Sequence, residues 1–159
     1  MSFPASLKLK TTAEGVRLFR WPIKEIENLY ERSFVFEKIK SEALNEDLKS
    51  EQFEEIDLYA KFVRKQNPTF QIKIRGLNIN FEKGKFYFNE KELPTLNKKE
   101  VNIRVLLDRT TIEVFVDDGF SVLSSYAVPA SDEKSIFIKS DKTFLFDKFE
   151  VNKLQSIWP

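Results

Sequence analysis

Side chains able to carry chemistry are few in kind in this sequence. It contains no His and no Cys, which removes the commonest general base, imidazole and thiolate metal ligands, and disulfides together. Acid–base or nucleophilic work would fall to carboxylates, Lys, Tyr or Ser. Two clusters stand out. "LLDRTTIEVFVDDG", residues 106–119, sets Asp108, Arg109 and Glu113 between runs that read as buried strand and closes on Asp117 and Asp118. "EQFEEIDLY" supplies Glu51, Glu54, Glu55 and Asp57. Paired carboxylates of this kind act as general acid and base or hold a hard cation. A calcium ion takes about six or more oxygens, whereas "DDG" offers two adjacent carboxylates, so a turn is the better reading. Strand alternation puts Glu55 and Asp57 on one face with Phe53 and Tyr59, and Glu54 on the other, which a solvated face explains. No glycine-rich phosphate loop or nucleophile elbow is present. The residues call for no metal and no cofactor.

The elements that must position these groups are almost all strands. Period-two alternation runs through "LKLKTTAEGVRLFR", which reads as two strands around Glu14-Gly15. It continues through "SFVFEKIKS", "FEEIDLYAKFV", "TFQIKIRG", "LNINFEKGKFYFNE", "VNIRVLL", "TIEVFV", "FSVLSSYAVP", "KSIFIKS" and "TFLFDKFEVNKL". "PIKEIENLYER" breaks the rhythm. Pro22 suits a first helical turn, and Ile23, Ile26 and Leu29 or Tyr30 fall at helical spacing, so one short helix is expected there. About ten short strands with tight turns predict an all-β fold, a two-sheet antiparallel β-sandwich of jelly-roll or concanavalin-like type with one short N-terminal helix. The 159 residues fit a single domain spanning 1–159, with a lead-in hairpin and helix over about 7–32.

Charge excludes several partners. Lys and Arg number 26 against 25 Asp and Glu, a net charge of +1, and the signs are interspersed, so no field invites nucleic acid or an anionic membrane. No apolar run approaches the roughly 20 residues of a membrane-spanning helix. "MSFPASLKLK" lacks the continuous apolar stretch of a signal peptide.

Within this frame "VNIRVLL" presents Val101, Ile103, Val105 and Leu107 on one face, and "TIEVFV" presents Ile112, Val114 and Val116. Separated by "DRT", they make an antiparallel hairpin, and "DDG" makes the next turn with Gly119 at positive φ. Asp108 is expected to accept backbone N–H groups in the turn, with Arg109 and Glu113 pairing across or beside it and Phe115 sharing the face of Glu113. Asp108, Arg109 and Glu113 then form the polar lock of a hairpin.

"VNIRVLLDRTTIEVFVDDG" resembles the L-R-I-L-x-D-x-[ST]-S-[IV]-E-V-F-x-N-D-G signature of the C-terminal β-sandwich of glycoside hydrolase family 32, the invertases, levanases and inulinases. The likeness rests on Ile103, Arg104, Leu106 or Leu107, Asp108, Arg109, Thr110, Ile112, Glu113, Val114, Phe115, Asp118 and Gly119, with Asp117 where Asn is usual. "FPASLKLKTTAEGVRLFRWPIKEIENL" is similar to the segment leading into that sandwich, and "FEVNKLQSIW" to its last strand. The departures are "PASL", where the family has Arg-Glu, and Arg20-Trp21, where Gln is common.

That resemblance implies a role without catalysis. Family members act as retaining glycosidases, with an Asp nucleophile and a Glu acid about 5–5.5 Å apart in an N-terminal five-bladed propeller. The Asp lies in W-M-N-D-P-N-G, a second Asp in R-D-P, and the Glu in an E-C pair. None of these motifs occurs here. The partner implied is the propeller of the same parent, with a homodimer contact also open; whether the parent is secreted, periplasmic or otherwise located is set outside this sequence. The alternative is a freestanding module that binds fructan oligosaccharides. Sandwich modules hold sugars through exposed aromatics, Arg forks and carboxylates, which makes Trp21, Tyr126, Trp158 and Arg104 the candidate contacts, with Tyr59, Tyr87, Arg109 and Glu113 in reserve. The 16 Phe lack a polar handle and are expected in the core.

Overall fold

A computed structural model describes residues 3–128 and 132–155. Thirteen strands and one α-helix are assigned within them. The first two strands, β1 (Ala5–Thr12) and β2 (Gly15–Pro22), form an antiparallel ribbon of their own. Its turn at Glu14-Gly15 is where the sequence places it, with Gly15 at φ 105°.

Two larger sheets make the sandwich. The remaining strands are β3 (Tyr30–Lys40), β4 (Ile56–Val63), β5 (Phe70–Ile74), β6 (Leu77–Glu82), β7 (Lys85–Phe88), β8 (Lys91–Leu93), β9 (Glu100–Leu107), β10 (Thr111–Val116), β11 (Ser121–Tyr126), β12 (Ile136–Ser140) and β13 (Leu145–Leu154). Six of them run in the order β11-β10-β9-β4-β13-β3, and five in the order β12-β5-β6-β7-β8, all pairs antiparallel. β13 therefore sits between β3 and β4. The expected all-β, two-sheet antiparallel sandwich is what forms.

Phenylalanine fills the space between the sheets. Phe62 on the six-stranded sheet meets Phe70 and Phe81 of the other sheet edge-on, at 5.3 and 4.9 Å between ring centres. Ile72, Ile74, Ile79, Phe86 and Phe88 face Leu58, Val105, Val114, Phe149 and Val151 across the same core, and all are buried. Apolar contact of this extent is the main stabilising term of the fold.

Two helical features differ from the sequence reading. The short helix expected in "PIKEIENLYER" forms, but as a 3₁₀-helix over Lys24–Leu29 with Ile26 buried, and Pro22 is the last residue of β2 and not part of a first helical turn. The α-helix, α1 (Ser41–Leu48), lies in "SEALNEDL", where no element is expected. It buries Leu44 and Leu48, an i, i+4 pair on one face. Asn45 of α1 donates from Nδ2 to the Ile138 carbonyl and accepts the Ile138 N–H on Oδ1, both at 2.8 Å, so the helix occupies the free edge of β12.

Candidate functional site

β9 and β10 are buried on both faces, residue after residue from Val101 to Leu107 and from Ile112 to Val116. One face belongs to the core between the sheets. The other is covered by the lead-in: Leu106, Phe115 and Ile26 form a second apolar cluster, with Phe3, Trp21, Ile23, Tyr30 and Val122 packed against it. Trp21 meets the Phe115 ring edge-on at 6.1 Å.

Buried charges fasten this cover. Arg104 grips Asp57 with both arms of its fork: Nε donates to Oδ1 at 2.9 Å and Nη2 to Oδ2 at 2.5 Å. Tyr30 donates its hydroxyl to Asp57 Oδ2 at 2.7 Å, and Trp21 lays its ring 5.5 Å from the guanidinium. Burial works against the charge on Arg104, yet its hydrogen bond to Asp57 and the attraction behind it hold the guanidinium pKa above its ordinary value. The Tyr30 phenol is pushed up by burial and then by the Asp57 charge. Close by, Arg20 Nη2 pairs with Glu113 Oε1 at 3.3 Å, and Ser124 Oγ donates to the same oxygen at 3.1 Å. Arg20 and Trp21 of the lead-in, with Tyr30 at the start of β3, thus meet Glu113, Arg104 and Asp57.

The "DDG" turn is the third fastening. Asp117, Asp118 and Gly119 all have left-handed backbone, at φ 50°, 59° and 89°. The fully buried Asp117 carboxylate accepts the N–H of Leu96 at 2.7 Å and of Asn102 at 3.2 Å, and faces Lys98 at 3.3 Å. Desolvation raises its pKa even so. Gly119 lends its carbonyl to the Arg20 N–H at 3.1 Å. A methyl group there would come within 1.9 Å of the Arg20 carbonyl oxygen, so glycine is required by space as well as by φ.

The expected lock is distributed over two contacts. Asp108 does take the turn role, accepting the Arg109 N–H on Oδ1 at 2.6 Å and donating its own N–H to Thr111. Arg109, however, reaches Glu55 at 3.0 Å, whereas Glu113 is buried under the lead-in with Arg20. Phe115 shares the face of Glu113 as expected. The solvated face proposed for "EQFEEIDLY" is corrected at two places: Asp57 is 1% exposed and bound by Arg104, and Phe53 is in the main core. Of the sugar candidates, Trp21 and Arg104 lie against each other, Tyr126 is 74% exposed at the far end of β11, and Trp158 lies outside the described residues. Among the described residues no group of three or more Asp, Glu, His or Cys is placed to hold a metal ion.

The family model described as "Glycosyl hydrolases family 32 C terminal" matches residues 25–155. The chain belongs to that family. Two levanases of Bacillus subtilis (strain 168) are related to it. The levanbiose-producing levanase is 38% identical over 77 residues, 48% of this chain and 15% of its own length, and the second levanase is 27% identical over 85% of this chain and 24% of its own. The chain therefore spans less than a quarter of the curated relatives it matches. Exo-inulinase from Aspergillus awamori superposes with a TM-score of 0.75 at 20% identity, covering 99% of this chain and 36% of that one. Sucrose-6-phosphate hydrolase from Lactobacillus gasseri gives 0.71 at 14%, covering 95% and 33%. These structures share the fold with this member of family 32.

Sequence reasoning missed Asp57, Tyr30 and Arg20 as parts of one arrangement. A signal was present: Asp57 and Arg104 are each the one charge amid apolar neighbours, in "IDLYA" and "VNIRVLL". Opposite charges isolated in two otherwise buried strands are expected to find each other.

Proposed function

We propose that this chain is the non-catalytic C-terminal accessory module of a family 32 β-fructosidase acting on fructan or sucrose, and that it supports the catalytic propeller by docking against it. One observation carries the reading. The β1–β2 ribbon turns Leu7, Leu9, Val16 and Leu18 outward, 62%, 73%, 61% and 54% exposed. Leu9 stands directly opposite Leu18 and Val16 opposite Thr11, so the four residues share one face. An apolar face of this kind on an otherwise charged molecule marks a contact surface. The absence of the W-M-N-D-P-N-G, R-D-P and E-C motifs and the levanase relatives support the rest.

Light scattering and hydrophobic-dye binding test the docking face. The wild-type chain should bind dye and self-associate as concentration rises, and Leu9→Ser with Leu18→Ser should abolish both while leaving the melting temperature within about 2 °C, the surface-substitution range. A wild-type chain that stays monomeric and dye-silent would sink the proposal. The isolated chain should also release no fructose from levan, inulin or sucrose.

A further inference from the structure

We propose that the trough between the lead-in ribbon and β4 binds an oligosaccharide bearing carboxylate groups. Two depressions meet there. One, of about 440 Å³, is lined by Lys61, Lys99, Asn102, Tyr59 and Asp118 among others. The second, of about 250 Å³, is lined by Ser6, Lys8, Lys10, Trp21 and again Tyr59 and Asp118. Both are lined by Tyr59 and Asp118, so they adjoin at that pair and form the trough, and the larger is of the size that ligand sites occupy, roughly 300–1,000 Å³.

Its floor and its charge specify the ligand. Tyr59 at the junction and Trp21 in the smaller depression are both half-buried, and they offer flat apolar faces with a polar tip, the surface on which the C–H side of a sugar ring rests. Lysine dominates the walls. Lys61 leans on Glu100 at 3.5 Å, and Lys98 on Asp117 and Asp118 at 3.3 and 3.5 Å. Lys10 sits over the Phe19 ring at 4.5 Å. Lys8 and Lys99, exposed on the two sides of Tyr59, have no carboxylate within salt-bridge distance among the described residues. A neutral sugar would leave these ammonium groups in water, whereas an acidic one gives each a partner, and the positive trough draws it in. The apolar residues Leu7, Leu9, Val16 and Leu18 lie on the opposite face of the ribbon from Lys8 and Phe19, so sugar binding is independent of docking.

Calorimetric titration of the whole chain with oligogalacturonate, with neutral levan oligosaccharides and with inorganic phosphate tests it. Oligogalacturonate should bind saturably, and more weakly as salt rises. Lys8→Glu with Lys99→Glu should weaken binding by about tenfold or more without moving the melting temperature, because both side chains are exposed. Tyr59→Leu should weaken it separately. No binding of oligogalacturonate, neutral oligosaccharides binding as tightly, or charge reversal without effect would each overturn the proposal. Phosphate binding as tightly as the acidic sugar would reduce the trough to a simple anion site and overturn it too.

Discussion

Asp57 shows how a single residue can change meaning between sequence and structure. Alternation pairs it correctly with Tyr59 but wrongly with Phe53, which precedes β4 and lies in the main core, and it does not tell what covers that face, because the cover comes from Trp21 and Tyr30, remote in sequence. Its carboxylate is buried and held by three donors, so removing it should leave Arg104 uncompensated. Asp57→Ala is expected to lower stability by about 3–5 kcal/mol in denaturant unfolding, whereas Asp57→Leu with Arg104→Met should recover most of that loss. A single variant with unchanged stability would show that the pair is not felt. The tyrosines make a second prediction. The Tyr59 phenol is pushed up to about 12 by burial and then by Asp118 and Glu100, from an ordinary 10.0, and Tyr30 is raised as well. Folding favours the neutral phenol in both, so the contribution is whole below pH 10 and is lost as pH climbs through the folded value. Thermal melts should show stability falling between about pH 10 and 12, and less steeply in Tyr59→Phe.

Elements built on strict alternation were legible, and those held by tertiary contact were not. The hairpin of β9 and β10 and its closing turn could be read from "DRT" and "DDG". α1 escaped because eight residues carry two apolar positions at helical spacing and no side-chain cap, flanked on both sides by strand patterns. Among the turns Gly119 is the most demanding. Gly119→Ala would place a methyl group against the Arg20 backbone at positive φ, which should cost at least about 2 kcal/mol. Because that contact anchors β2, limited proteolysis should cut the variant first within the ribbon. Cleavage elsewhere, or none, would mean that the ribbon is held without this contact.

For the molecule as a whole, sandwich and Phe core followed from composition and period, and the same fold persists in solved structures at 20% and 14% identity. What could not be read was the double burial of β9 and β10, since nothing local says that a ribbon from the N-terminal end will lie over them. If lead-in and sandwich are one unit, as we infer, the chain should melt in a single transition with equal calorimetric and van't Hoff enthalpies. Deleting residues 1–22 should expose Phe115 and Leu106, lower the melting temperature and broaden the transition. A deletion variant that melts like the wild type would separate the lead-in from the domain.

The place of β13 has a consequence for synthesis. A ribosome delivers this chain from its amino end, and β3 and β4 leave the exit tunnel long before the strand that must lie between them. Until residues 145–154 emerge, Phe34 and Phe36 on β3 have no neighbour to hydrogen-bond against, and the larger sheet stops at β4. Closure is therefore a late, post-emergence step that adds β13 and β3 together to the edge of β4. A nascent chain stalled before Leu145 should be a better client for a chaperone than one released ten residues later.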